Sequence, residues 1–141
     1  MANIFDVSKY ILTSIGEMST MKLQKLCYYS QAWTLVWDKK PLFGEEFKRW
    51  DNGPVCRELF DIHQKMFNIN AEHIPDSKLS EESLTNNEKL NVDTVLEHYG
   101  KYSGAQLSEL SHSERPWSET PKDAVISVDC LKLYYSSLIQ G

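Results

Sequence analysis

Cationic side chains are in short supply in this sequence. Its 15 Lys and Arg are outnumbered by 20 Asp and Glu, which leaves a net charge of −5. Proteins that grip duplex nucleic acid ordinarily carry a basic excess or stripe to meet the phosphates, so this balance argues against nucleic acid as a partner. Cysteine is sparse as well. Cys27, Cys56 and Cys130 are odd in number and widely spaced, which argues against a disulfide framework and for reduced thiols in a cytoplasm. Neither these nor the four dispersed histidines fall at metal-ligand spacing, so no metal site is expected. No stretch approaches the roughly 20 apolar residues that cross a bilayer. The start, Met1-Ala2-Asn3-Ile4-Phe5-Asp6, has neither the basic n-region nor the apolar run of a secretion signal. Enzyme signatures are missing too: G-x-S-x-G, a Gly-rich phosphate loop and H-E-x-x-H are all absent. His112-Ser113-Glu114 matches half of a zinc-deaminase motif, but the P-C-x-x-C half is missing. Cys56, His63 and His112 lie at arbitrary spacing and read as packing residues. No catalytic role and no cofactor are expected.

What the chain does have is enough apolar material for one core. Hydrophobic residues make up 41% of its 141 positions, and a chain of that size buries most of its surface as a single domain over residues 1–141. Four Trp and seven Tyr are a rich supply of side chains that serve interfaces as well as cores.

Helical periodicity dominates. Val7, Tyr10, Ile11 and Ser14 place a first helix over about 5–15, stopped by Gly16. Ser19 or Thr20 caps a second over about 21–37. Its Leu23, Leu26, Cys27, Ser30, Trp33 and Trp37 form one face, and Tyr28, Ala32, Leu35 and Val36 fill most of the rest. A helix apolar nearly all round is buried centrally or shared between a core and a partner, so Leu26 and Trp33 are expected inside. Lys22 and Lys25 are its sole charges before Asp38. Both sit near the N-terminus, where the macrodipole disfavours cations. They read either as solvent-snorkelling side chains beside an acidic neighbour or as contacts to an acidic partner. A short strand is expected within 45–50, and Pro54 opens a third helix to about Phe67. Residues 68–84 read as a surface loop with a short strand near His73-Ile74. Thr85 to Glu88 and Ser103 to Gln106 are capping boxes for two more helices. The first should bury Leu90, Val95, Leu96 and Tyr99; the second should bury Leu107 and Leu110, with His112 bonded to its last carbonyls. Ser127 caps a final helix, stapled by Ile126 and Leu131, with Val128, Leu131, Tyr135 and Leu138 inward. The fold class is mainly α: five to six helices, with a short β-hairpin near residues 42–50 and 70–75. Trp33, Trp37, Trp50 and Trp117 each read as core plugs or as binding anchors.

Three linked blocks resemble a known family. Thr20-Met21-Lys22-Leu23-Gln24-Lys25-Leu26-Cys27-Tyr28-Tyr29-Ser30-Gln31-Ala32-Trp33 resembles the opening helix of the Panacea domain of SocA-like antitoxins. Pro41-Leu42-Phe43, Glu46, Trp50 and Gly53-Pro54-Val55 resemble its second block. Leu107 and Leu110-Ser111-His112-Ser113-Glu114-Arg115-Pro116-Trp117 resemble its third. Cys27 stands where members often have Leu, a tolerable core change. The resemblance implies a helical domain of bacteria, prophages and mobile elements that neutralises a toxin by direct binding. It also implies, for some members, a role as adaptor presenting the toxin to a ClpXP-type protease. Because the domain fills the chain, self-repression through an attached DNA-binding domain is not expected. The alternative is a prophage protein of the same fold that binds a host factor. The partner surface is expected where Lys22, Lys25 and Tyr28 meet Trp50, Gly53, Pro54 and Val55, with Trp117 nearby.

Overall fold

The computed structural model describes residues 1–139. Helix α1 (Ile4–Ile15) begins under a capping box. Asn3 accepts from the Phe5 and Asp6 amides, and Asp6 accepts from the Asn3 amide. It ends at Gly16, as its sequence indicates. Strand β1 (Met18–Ser19) then leads into α2 (Thr20–Asp38), which Ser19 caps by accepting from the Lys22 amide at 3.1 Å. Every residue from Leu23 to Ala32 is buried. Only a helix surrounded on all sides can achieve this. Strands β2 (Phe47–Trp50) and β3 (Gly53–Cys56) form an antiparallel hairpin, with Phe47 opposite Cys56 and Trp50 opposite Gly53. Helix α3 (Arg57–His63) follows directly. Strand β4 (Asn68–Ile69) pairs with β1. Helices α4 (Asn86–Tyr99) and α5 (Gly104–His112) start at the two capping boxes read from the sequence. A single turn, α6 (Arg115–Ser118), leads to β5 (Val125–Ile126), which adds to the free edge of β2. Helix α7 (Val128–Ile139) closes the fold.

The mainly α class therefore holds, with seven α-helices among the described residues and small antiparallel sheets of two and three strands. α2 is the axis: α1, α4, α5, α7 and β3 all pack on it.

Several local expectations change. Pro54 does not open a helix. It sits in β3, an edge strand, where its missing N–H breaks no ladder bond. The strand extends to Cys56 because Gln24 of α2 takes that residue's backbone like a further strand. Gln24 Oε1 accepts from the Cys56 amide at 2.9 Å, and Nε2 donates to its carbonyl at 3.1 Å. The hairpin that forms is 47–56, and residues 71–73, next to the expected strand at His73-Ile74, form a 3-10 turn. Leu90 is 62% exposed, because α4 turns Asn91, Val92, Val95 and Leu96 inward instead. Asn91 can face inward because its amide donates to Asp38 Oδ2 at the end of α2. Val128 and Leu138 point outward while Leu131 and Tyr135 are buried. Leu26 is buried as expected. Trp33 is only partly so, stacked on the exposed Trp37 and donating to the Tyr99 hydroxyl at 2.9 Å.

Candidate functional site

The N-terminal turns of α2, the β2–β3 hairpin and α3 enclose an open cleft of about 410 Å³. Its walls are apolar: Met21, Trp50, Val55 and Phe60. Trp50 meets the edge of Phe60 with ring centroids 5.0 Å apart. Its floor is polar, made by Gln24, Lys25 and His63.

The floor's hydrogen bonds can be followed group by group. Cys56 fixes which end of the Gln24 amide is which, since Oε1 must accept and Nε2 must donate. The remaining Nε2 hydrogen points at His63 Nε2, 3.0 Å away, so that ring nitrogen is an acceptor and carries no proton. Burial holds the His63 ring below its usual range, and the nearby Lys25 charge adds to the effect.

Lys25 is the unusual member. It is 1% exposed, yet none of the ion pairs of the described residues includes it. Burial alone pushes its amine down to about 7. Its stem crosses Gly53, where a Cβ would stand 2.5 Å from Lys25 Cε and 2.9 Å from Ser111 Oγ. Gly53 also has φ +113°, a region that L side chains rarely adopt. The hairpin therefore needs glycine twice over, for its own backbone and for the lysine beneath it.

Behind the hairpin lies the third block. Trp117 Nε1 donates to the Trp50 carbonyl at 2.9 Å, and the Arg49 guanidinium sits 4.0 Å over the Trp117 ring. The His112 ring packs on the other part of this stack, 4.0 Å from the Trp117 ring. Its Nε2 is buried without a partner, so this nitrogen makes no bond to the α5 carbonyls. Glu114 is buried deeper in the fold, where the Tyr29 and Tyr135 hydroxyls each donate to Oε1 at 2.7 Å. Burial raises its carboxyl above the usual range, and these two hydrogen bonds oppose the rise.

The residues singled out in the sequence thus separate. Lys25, Trp50 and Val55 line the one cleft. Gly53 and Pro54 shape its hairpin, and Trp117 braces it. Lys22 faces elsewhere: its Nζ donates to the Gly100 carbonyl at 2.6 Å, at the C-terminal end of α4, where a cation complements the dipole. Tyr28 is fully buried against Phe47 and Tyr135 and reaches no surface. Lys25 is not a snorkelling surface residue, and it forms no ion pair with the Asp51 and Asp123 that share its cleft. Gln24, Phe60 and His63 were not singled out for this site, although a glutamine within a continuous apolar helix is a signal that it serves a specific partner. Among the described residues, no three His, Cys, Asp or Glu side chains gather as metal ligands would. None of the described helices is long and apolar enough to cross a membrane.

A family model described as "Antitoxin SocA-like, Panacea domain" matches residues 23–118. No curated protein and no solved structure matches the chain. The matched span contains α2 from Leu23, the whole hairpin, α3 and the Trp117 brace; of the residues lining the cleft, Thr20, Met21, Lys122 and Asp123 lie outside it. That span is well over half of the 141 residues, so the chain belongs to the SocA-like antitoxin family of Panacea domains, and its role is one associated with toxin–antitoxin systems.

Proposed function

We propose that this protein neutralises a toxin by binding it directly, with the cleft between α2, the β2–β3 hairpin and α3 as the contact surface. The observation that carries the reading is an open, aromatic-walled cleft whose floor, Trp50 and Phe60 lie within the span the antitoxin family matches. Large aromatic side chains held in position are the usual anchors of protein interfaces. Trp50 is so held, by Phe60 beside it and by Trp117 on its carbonyl. The family itself favours binding over catalysis. The net charge of −5 would speed encounter with a basic toxin. Reduced thiols at Cys27, Cys56 and Cys130 suit a cytoplasmic site of action.

Delivery of the bound toxin to a ClpXP-type protease is a finer form of the same reading, and the two forms separate experimentally. Expression of the neighbouring reading frame alone should arrest growth, and co-expression with this protein should relieve the arrest. Relief that persists in cells lacking ClpX means neutralisation by contact; relief lost in such cells means delivery. If no neighbouring product is toxic or binds, the toxin reading yields to binding of a host factor.

A further inference from the structure

The floor of the cleft holds a buried lysine that forms no ion pair. Burying a lysine without a carboxylate is costly, and a structural role ordinarily supplies the counter-ion. Here the adjacent groups are neutral. Gln24 spends both ends of its amide on Cys56 and His63, and Ser111 donates to the Ser108 carbonyl at 2.8 Å. Lys25 also lies in the second turn of α2, towards the end where the dipole disfavours it. Neither burial nor helix position stabilises this charge, yet the stem is threaded over a glycine that leaves room for it.

We propose that the cleft receives one carboxylate on an apolar stem: an Asp or Glu side chain, adjacent to an apolar residue, in a segment of the protein partner, paired with Lys25. This deepens the partner-binding reading and rests on it. A single cation on the floor matches a monoanion. The rim carries Asp51 and Asp123 against Lys122, which is 3.8 Å from Asp51, so its net negative charge repels a phosphate or a polyanion more than a single carboxylate. Trp50 and Phe60 offer an apolar wall for the neighbouring side chain, and about 410 Å³ is the scale of a pocket for one or two side chains.

Two experiments test the proposal. In the first, the ζ-nitrogen resonance of Lys25 is followed in the purified, lysine-labelled protein during titration with acetyl-Phe-Glu-Phe-amide, its Gln counterpart, and 3-phenylpropionate. A saturable shift with the Glu peptide, absent with the Gln peptide, is expected. No shift, or equal shifts with both peptides, overturns the carboxylate site. Tighter binding of 3-phenylpropionate than of the Glu peptide overturns the assignment to a partner segment and makes the site one for a small acid. In the second, affinity for the neighbouring gene product is compared between wild type and Lys25→Met, which keeps the stem and removes the charge. A loss of roughly 30-fold or more, at a melting temperature no lower than wild type, is expected. Equal binding by both overturns the inference and leaves the partner reading standing. If neither form binds the neighbour's product, the partner reading fails, and the inference fails with it when the Glu peptide is also silent.

Discussion

At the scale of single residues, Glu114 and Lys25 are buried ionisable groups of opposite sign, treated very differently. Glu114 is met by two tyrosine hydroxyls that donate to its Oε1, and through them it links α2 to α7. Lys25 meets no such donor–acceptor pair and is left with a lowered amine. That difference has a consequence for stability. A lysine bound to fewer protons in the folded than in the unfolded chain destabilises most below its folded pKa. The penalty shrinks as pH rises from about 7 towards the ordinary value of 10.5. The charged groups facing Lys25 are His63 from α3, Asp51 from the hairpin turn, and Lys122 and Asp123 from the segment before β5. His63, held below its usual range, is already neutral at pH 7. Lys25→Met should therefore be more stable than wild type at pH 7, with an advantage that falls by roughly 2 kcal/mol by pH 9. Urea unfolding of both proteins at the two pH values measures it. An advantage independent of pH would mean that Lys25 is not the titrating group. The burial of Lys25 also rules out a simple charge-reversal test, since Lys25→Glu would put a carboxylate into an apolar floor instead of onto a surface.

At the scale of elements, the hairpin depends on its glycine. Gly53→Ala would force a side chain into φ +113° and against Lys25 Cε at 2.5 Å. Such strain typically costs about 1–3 kcal/mol, and the flexible lysine can yield only by moving the cleft floor. The variant should melt lower and bind its partner more weakly; unchanged melting would show that the turn relaxes freely. Elements whose signals are local were legible in the sequence. The capping boxes at Thr85 and Ser103, the stop at Gly16, and the paired burial of Ile126 and Leu131 all depend on residues within a few positions of each other. What was not legible depends on distant partners. Pro54 reads as a helix start until Gln24 holds the Cys56 backbone from α2, 32 residues away. Leu90 reads as core until Asp38 satisfies Asn91 and lets that face turn inward. The site was half legible for the same reason. Trp50, Gly53 and Val55 mark a turn bearing apolar residues. That Lys25 lies buried beneath it, and that Lys22 and Tyr28 point away, follows from how α2 is rotated within the core. Gly104 helps set that arrangement. It lets α5 approach so closely that a Cβ there would stand 2.9 Å from the Lys22 amide nitrogen and 2.9 Å from Ser19 Oγ.

At the scale of the whole molecule, one central helix performs two tasks. Along most of its length α2 is the core, with α1, α4, α5 and α7 around it. At its N-terminal end it emerges as the floor of a cleft whose walls come from a hairpin and a short helix. This division lets the binding surface be altered without dismantling the fold, because Trp50 and Phe60 lie outside the buried core. Truncating Trp50 also preserves the brace, since Trp117 bonds to the Trp50 backbone and not to its ring. The most direct measurement is a calorimetric titration of the purified neighbouring gene product into wild type and into Trp50→Ala. Saturable binding by wild type is expected, weakened roughly 30-fold or more in a Trp50→Ala variant that melts close to wild type. Binding that is absent in wild type, or equally tight in the variant, would contradict partner recognition through this cleft.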